Sequence, residues 1–309
     1  MKISIVGATG HVGSSAAFNI AIHRLADEIV LIGGSKKARL LQYVEDLNTA
    51  VTGLDVLVRM GGYEDMRDSK IVIIAAGSAE VIASRMEVLP QNLPLIHGIA
   101  QNVKQFCPES IVITATNPVC PLNYAMYLSS HLDRKKLIGY SANDSIRFRM
   151  FLSQALGVKS SQVEGTVIGE HGNSQVMLFS SVKVNGKRFA VNDQIKQKIR
   201  QQAAMLPALL EDLRMKSGRT ASWTASMGLT ALCHAIKEDT GEMIPCSLVL
   251  DGEYGCHQLG MTVPAIIGMD GVQQIQEWEL SPDEREALNR SINILKPAMR
   301  YVEEFLTKK

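Results

Sequence analysis

The segment Lys2-Ile3-Ser4-Ile5-Val6-Gly7-Ala8-Thr9-Gly10-His11-Val12-Gly13 decides the fold. Its apolar run Lys2–Val6 predicts a short buried strand, and the apolar spacing of Val12–Leu25 predicts a helix directly after it. The glycines between them permit a tight turn, close approach of the backbone to a pyrophosphate, and close helix–strand packing. The helix N-terminus adds free N–H donors. A purely structural glycine turn is the alternative, but the strand–loop–helix context favours a phosphate site.

Strand-like and helix-like segments continue to alternate through the first half of the chain. Further strands are predicted at Glu28–Ile32, Asp55–Arg59, Ile71–Ala75, Ile111–Ala115 and Lys136–Gly139. Helices are predicted at Lys36–Ala50 and over much of Arg85–Phe106. Unbroken apolar strands between amphipathic helices indicate a parallel sheet covered on both faces. Residues 1–142 are therefore predicted to form a doubly wound α/β domain of the Rossmann type.

The pattern changes in residues 143–309, which are predicted to form a mixed α+β substrate domain. Strands are predicted at Val163–Ile168, Val176–Phe179, Ser181–Val184, Lys187–Val191 and Ser247–Leu250, and helices at Asp193–Lys216, Ala221–Lys237 and Pro282–Phe305. Asn185-Gly186 has the chemistry of a tight hairpin turn. Ser281 is a good N-cap for the last helix. Because no linker separates the halves, we expect a large interface between them.

Composition excludes several classes of function. The chain has 309 residues, 46% of them hydrophobic and 20% charged, with a net charge of +1. This balance gives no general attraction to nucleic acid or to anionic membranes. Five widely spaced cysteines lack zinc-ligand spacing, so we expect reduced thiols, no bound metal and a cytoplasmic protein. We expect neither a signal peptide nor a membrane span.

Two polar clusters are the candidates for chemistry. His171 lies in Ile168-Gly169-Glu170-His171-Gly172-Asn173-Ser174, directly after an apolar run. Histidine is well suited to transfer a proton near neutral pH, although a loop histidine without chemistry is the alternative. Asp144 and Arg147 are three residues apart and would share a helix face. A histidine, a carboxylate that orients it and an arginine that binds an anion suit acid–base chemistry on a carboxylic acid.

The residues at the end of the second strand bear on the choice between NAD(H) and NADP(H). An acidic residue that binds the ribose of NAD commonly stands about 20 positions after the glycine loop. Here that position is Gly33, and Gly34-Ser35-Lys36-Lys37 follows. A hydroxyl and nearby cations could bind a 2′-phosphate, and no carboxylate would repel it. The segment therefore favours NADP(H) over NAD(H), which stays possible; a solvated basic loop is the alternative.

The chain resembles the L-lactate/malate dehydrogenase family over nearly its whole length. The resemblance rests on motifs in the family's order, namely the glycine loop, Thr116-Asn117-Pro118-Val119, Asp144-Ser-Ile-Arg147, Gly169-Glu-His171-Gly172, Leu250-Asp-Gly-Glu-Tyr-Gly255 and Val263-Pro264 with Gly268. It implies a nucleotide-binding half and a substrate half. It also implies an enzyme that interconverts a 2-oxo acid and an L-2-hydroxy acid, active as a homodimer or homotetramer.

The resemblance implies roles for individual residues. His171 would be the acid–base catalyst, Asp144 would hold its imidazole, and Arg147 would bind the substrate carboxylate. Substrate-binding roles fall also on Arg85, Asn117, Asn92 and Glu80. The implied cofactor-binding residues are Gly7, Ala8, Thr9, Gly10, His11, Val12, Gly13, Gly33, Gly34, Ser35, Lys36, Ala76, Gly77, Thr116 and Asn117.

Two departures from the family's pattern concern the substrate. The segment from Gly77 to Arg85 is one residue shorter than the family's mobile loop and lacks its Pro and Gly. Glu80 stands where malate enzymes carry an arginine and lactate enzymes a glutamine. A carboxylate there would repel a dicarboxylate. Malate/oxaloacetate is nevertheless the first prediction, because the glycine loop and the residues after the second strand are similar to the malate branch; a monocarboxylic 2-oxo acid is the second.

Other classes fit less well. A short-chain reductase would need Tyr-x-x-x-Lys, and none of the seven tyrosines has a lysine four residues on. A metal-dependent hydrolase would need a ligand cluster, which the spacing does not show. A catalytically weak NADP(H)-binding sensor would keep the glycine loop and tolerate loss of the polar residues, all of which are present.

Overall fold

The computed structural model describes residues 1–78, 85–218 and 222–308, with Arg85 described by its backbone only. The helices are α1 His11–Ile22, α2 Lys37–Ala50, α3 Leu89–Phe106, α4 Val119–Ser130, α5 Asn143–Leu156, α6 Asp193–Ser217, α7 Trp223–Glu238 and α8 Pro282–Thr307. The strands are β1 Lys2–Val6, β2 Glu28–Ile32, β3 Leu57–Gly61, β4 Ile71–Ile74, β5 Ile111–Thr114, β6 Leu137–Tyr140, β7 Val163–Glu164, β8 Val167–Ile168, β9 Val176–Met177, β10 Lys183–Val184, β11 Lys187–Arg188, β12 Glu242–Asp251, β13 His257–Gly268 and β14 Gly271–Ile275.

The first six strands form the predicted parallel sheet. Their spatial order is β3-β2-β1-β4-β5-β6, and every neighbouring pair is parallel. All residues of β4, β5 and β6 are buried, as a sheet with helices on both faces requires. The doubly wound Rossmann fold is therefore confirmed. Its order reverses between β1 and β4, where such folds bind their ligands.

Strands of the second half extend this sheet. β12 pairs antiparallel with β6, with Cys246 opposite Tyr140, and β13 and β14 follow to give nine strands. The sequence predicted only the centre of β12 and neither β13 nor β14. The two halves therefore share one hydrogen-bonded sheet, which is a more intimate connection than the predicted interface between packed domains.

Local differences from the predicted elements have simple causes. The predicted strand Val163–Ile168 is two short strands, because Gly165 packs against Leu152 where a Cβ would come within 2.8 Å. Helix α4 was not predicted, since Pro118 and Pro121 discourage a helix. Both stand at its beginning, Pro118 as N-cap and Pro121 in the first turn, where proline is tolerated. The Asn185-Gly186 hairpin is as predicted, with both residues at positive φ.

A second, smaller core supports helix α5. Phe148, Phe151 and Leu152 of α5 are buried with apolar side chains of the short strands and of α6. Phe148 meets Phe179 edge to face, with ring centroids 5.0 Å apart. This core fixes the helix whose first turns carry Asp144 and Arg147.

Candidate active site

The glycine loop is held against the end of β4 by contacts that no side chain would allow. Gly7 has φ +87°, and a Cβ there would lie 2.4 Å from the backbone nitrogen of Ala76. A Cβ on Gly13 would lie 2.6 Å from the Gly7 carbonyl oxygen. At Gly10 the nearest atom would be that same oxygen, at 3.4 Å, and no side chain caps α1. The loop thus exposes unpaired N–H groups at the helix start, as a pyrophosphate requires.

The end of β2 lies beside this loop. A Cβ on Gly33 would meet the Thr9 Cγ2 at 3.0 Å and the Leu40 Cδ2 at 3.2 Å. A larger side chain at position 33 would therefore displace its neighbours. Ser35 and Lys36 are exposed beyond it, at the start of α2. The structure thus brings the residues predicted to choose the cofactor next to the glycine loop.

The ends of β4 and β5 carry further predicted site residues next to the point where the strand order reverses. The Thr116 hydroxyl donates to the Ala76 carbonyl at 2.7 Å. The Asn92 side chain accepts from the Ser78 N–H at 2.6 Å and donates to the Asn117 carbonyl at 2.8 Å. The Asn117 Oδ1 atom is buried and has no hydrogen-bond partner among the residues described. A buried oxygen without a donor suits a bound group that offers an N–H.

His171 and Asp144 form a buried pair. His171 Nδ1 lies 2.6 Å from Asp144 Oδ2, and the side chains are each only 6% exposed. Arg147 NH1 lies 3.7 Å from Asp144 Oδ1, one helical turn further along α5. The three residues predicted from the sequence are therefore together, as the shared helix face required. A carboxylate bonded to Nδ1 fixes the imidazole and leaves Nε2 for proton transfer.

The loop that carries His171 is anchored by residues that the sequence did not single out. Gly169, at φ +91°, exchanges two backbone hydrogen bonds with Thr262 of β13. The Thr262 hydroxyl donates to Ser141, which lies just before α5. Serines and threonines in this pattern carry no sequence signal, because only the fold brings β13 to the end of β8.

Some predicted residues fall outside the described part of the chain. Glu80 lies in 79–84, and the side chain of Arg85 is likewise outside the description. The backbone of Arg85 begins a 3-10 turn, Arg85–Val88, that leads into α3. Within the described residues, no three His, Cys, Asp or Glu side chains are grouped to hold a metal ion. No helix in that same part is long and apolar enough to span a membrane.

The candidate site comprises backbone N–H groups suited to a dinucleotide, a buried histidine–carboxylate pair and an arginine. An oxidoreductase acting on a hydroxy acid needs these parts, because the nicotinamide carries hydride while the protein supplies binding, orientation and the proton. The fold and these groups together define the class of protein as a nicotinamide-dependent dehydrogenase.

The comparisons with known proteins agree with this class. Residues 1–139 match the family model of the lactate/malate dehydrogenase NAD binding domain, and residues 143–306 match that of the alpha/beta C-terminal domain. The chain is 36% identical to a malate dehydrogenase of Halobacterium salinarum, covering 94% of this chain and 95% of the relative. It is 33% identical to an L-lactate dehydrogenase of Halalkalibacterium halodurans, covering 96% and 95%.

Solved structures are similar over the same length. The chain superposes on Cryptosporidium parvum malate dehydrogenase with a TM-score of 0.90 at 28% identity, covering 98% of this chain and 99% of the other. It superposes on the lactate dehydrogenase of that organism, solved with lactic acid and the dinucleotide, with a TM-score of 0.89 at 28% identity, covering 98% of each. The chain belongs to the lactate/malate dehydrogenase family. The predicted enzyme class, a 2-hydroxy acid dehydrogenase with a nicotinamide cofactor, is confirmed.

Proposed function

We propose that the enzyme interconverts L-malate and oxaloacetate with His171 as acid–base catalyst. The observation that carries this proposal is the buried 2.6 Å contact between His171 and Asp144, with Arg147 on the same helix face. A carboxylate next to an imidazole stabilises its protonated form, which must donate a proton when a carbonyl is reduced. When bound, the nicotinamide supplies or accepts the hydride at the substrate carbon.

The roles of the other residues follow from their chemistry. Arg147 is proposed to bind the substrate carboxylate, because its planar group forms two parallel hydrogen bonds to a carboxylate. Arg85 is proposed to polarise the substrate carbonyl. Asn117, whose Oδ1 has no donor among the described residues, is proposed to bind the nicotinamide amide, with Asn92 holding the Asn117 backbone. The Gly7–Gly13 loop would hold the pyrophosphate through backbone N–H groups.

For the cofactor, we propose a preference for NADP(H), with NAD(H) as the alternative. The tight contacts at Gly33 argue against a ribose-binding carboxylate there, while the exposed Ser35 and Lys36 can meet a 2′-phosphate. A phosphate bound by hydroxyl and ammonium groups gains charge-assisted hydrogen bonds that NAD(H) does not offer.

A monocarboxylic 2-oxo acid is the second candidate substrate. Glu80 favours it, since a carboxylate facing the substrate side chain would repel a second carboxylate. Similarity to the malate dehydrogenase of Halobacterium salinarum favours malate. Both candidates use the same His171 chemistry and differ only in what the loop before Arg85 admits.

Initial rates of NADPH and NADH oxidation with oxaloacetate, pyruvate and longer 2-oxo acids test these proposals. Fast turnover of oxaloacetate with NADPH is the expected result. Preference for a monocarboxylate would replace malate by the second candidate and make Glu80 a gate. Faster turnover with NADH would overturn the cofactor preference. Binding of NADPH without turnover of any acid would overturn the substrate class.

We also propose a homodimer or homotetramer. Met205, Leu209 and Leu213 on α6 are exposed at i, i+4 and i+8, and Trp223 and Met227 are exposed one turn apart on α7. Repeated exposure of large apolar side chains on helices is typical of surfaces that bind a partner. Light scattering after gel filtration should give two or four times 33.8 kDa. A monomer at micromolar concentration would overturn the proposal.

For location, we propose the cytoplasm. All five cysteines are free and buried, and burial raises the pKa of the Cys233 thiol to about 12. Thiols in this state fit a reducing compartment.

A further inference from the structure

Glu170, the neighbour of His171, closes a cycle of hydrogen bonds. Its backbone N–H donates to Ser291 Oγ on α8 at 2.8 Å. Its carboxylate oxygen Oε2 accepts from the Ser174 hydroxyl at 2.5 Å and from the Ser174 N–H at 2.9 Å. The serine hydroxyls are 3.1 Å apart, and because Ser174 already donates to Glu170, Ser291 is the donor between them. These hydrogen bonds lead from the Glu170 N–H through Ser291 and Ser174 back to the Glu170 carboxylate. We call this closed set the Glu170–Ser291–Ser174 cycle.

The surroundings leave this cycle little freedom. Glu170 is 8% exposed and Ser291 is fully buried. A Cβ on Gly172 would lie 2.5 Å from the Glu170 carboxylate, and one on Gly169 would lie 2.7 Å from Ser291 Oγ. The two glycines that flank Glu170 and His171 therefore make room for the cycle. Hydrogen bonds in a closed, buried set polarise one another and hold a unique geometry.

Glu170 also places a buried carboxylate on the residue directly before His171. Within the described residues it forms no ion pair, so its charge is balanced only by hydrogen bonds. Burial raises the pKa of the Cys120 thiol on α4, and the negative charge of Glu170 raises that pKa further. Within the described residues, the Asp144 carboxylate on α5 is bonded to the imidazole, and Arg147 lies 3.7 Å from that carboxylate. His171 thus follows a buried carboxylate in the chain, and a second carboxylate, that of Asp144, is bonded to its imidazole.

We propose that Glu170 is a positioning residue for His171, which fixes the loop through the Glu170–Ser291–Ser174 cycle and stabilises the protonated imidazole. This inference rests on the proposed acid–base role of His171. A neutral residue at 170 would loosen the loop and remove one buried negative charge from the residue directly before His171. The first effect lowers turnover, and the second lowers the pKa of His171.

Glu284 offers a matched control. It is also a glutamate buried to 6% exposure, and its carboxylate also accepts from the N–H and the hydroxyl of one serine, Ser180, at 2.9 and 2.6 Å. It lies in the first turn of α8 rather than beside the catalytic loop. Glu284 also accepts from the Ser281 N–H at 3.0 Å as part of the cap of α8. Glu170→Gln and Glu284→Gln therefore each remove one buried charge and weaken one pair of serine hydrogen bonds, at two different places.

The experiment compares Glu170→Gln, Glu284→Gln and the parent in oxaloacetate reduction, measuring kcat and KM across pH, and Tm. We expect Glu170→Gln to lower kcat about tenfold with little change in KM. The fall of kcat/KM at high pH, where His171 loses its proton, should begin about half a pH unit lower, because a neighbouring carboxylate raises a histidine pKa. Glu284→Gln should lower Tm and leave the pH profile unshifted.

Equal losses of Tm in the two variants, with both pH profiles unshifted, would reduce Glu170 to a structural residue and overturn the inference. If Glu170→Gln does not fold, Ser174→Ala keeps the charge and breaks the cycle. It should then lower kcat several-fold without a shift, and an unchanged kcat would overturn the positioning role. His171→Asn tests the proposed catalytic role separately from the positioning role of Glu170. Full turnover in this variant would overturn the catalytic role itself.

Discussion

Two glycine-containing loops carry the candidate binding and catalytic groups, and they are built on opposite principles. The loop Gly7–Gly13 is fixed by backbone contacts so close that a Cβ on Gly7 or Gly13 would lie within 2.6 Å of another backbone atom. The loop 169–174 is instead fixed by side chains, through the Glu170 carboxylate and Ser291. The first is expected to bind its ligand mainly through backbone N–H groups, while the second carries the imidazole of His171.

This difference separates binding from chemistry. A loop that works through its backbone loses function when its path changes or when an added side chain covers its N–H groups, so its substitutions should act mainly on cofactor affinity, with a loss of stability where the added side chain meets the backbone. A loop that works through one side chain can lose turnover while its path and the cofactor site stay intact. Five substitutions test how strict that separation is.

His171→Ala should have the largest effect. Loss of the proton donor should lower kcat by about a thousandfold, within the usual contribution of general acid–base catalysis. Cofactor affinity, measured by quenching of intrinsic fluorescence or by calorimetry, should stay within about threefold of the parent, because the Gly7–Gly13 loop is unchanged. Turnover equal to the parent would remove His171 from the mechanism. A large loss of cofactor affinity would show that the two loops are coupled.

Arg147→Lys should come next. An ammonium group cannot form the two parallel hydrogen bonds of a guanidinium, so the substrate KM should rise roughly thirtyfold, the equivalent of about 2 kcal/mol. Steady-state kinetics with oxaloacetate measures this. An unchanged KM would mean that another cation binds the substrate carboxylate.

Gly10→Ala and Gly13→Ala test the backbone loop as a pair. At Gly13 the new methyl meets backbone at 2.6 Å, so the free energy of unfolding should fall by about 1–3 kcal/mol. At Gly10 the nearest atom would be 3.4 Å away, so Tm should change little. The methyl would instead face the expected pyrophosphate and raise the cofactor Kd about tenfold. Equal effects of both substitutions on Tm and Kd would contradict the assigned roles.

Lys36→Gln should have the smallest effect. Lys36 is exposed, and an exposed charge contributes under about 1 kcal/mol. The ratio of NADPH to NADH in kcat/KM should fall about threefold, and less at high salt because exposed charges are screened. Lys187, exposed in β11, provides the control substitution. An unchanged ratio would assign the 2′-phosphate to other groups or favour NAD(H).

The sequence predicted what depends on neighbouring residues. β1 and β2 begin and end where predicted, because buried parallel strands are short apolar runs between breakers. The pair Asp144 and Arg147 was placed correctly, since helical spacing is local. β13 was missed, because Gly260 and Pro264 interrupt its pattern and it is stabilised by pairing with β12 and β14, which no local pattern shows. Ser291 is more than a hundred residues from Glu170, so no local pattern could connect them.

The antiparallel pairing of β12 with β6 has a consequence for recombination between relatives. The two family models meet between residues 139 and 143, at the end of β6. A crossover between two related sequences at this point would follow the domain boundary along the chain. In three dimensions it would divide a single sheet between two parents. Cys246 and Ser247 face Tyr140 and Gly139 across that line, and a Cβ on Gly139 would lie 2.8 Å from the Ser247 Cβ. Chimeras that exchange cofactor preference should therefore inherit β6 and β12 from the same parent.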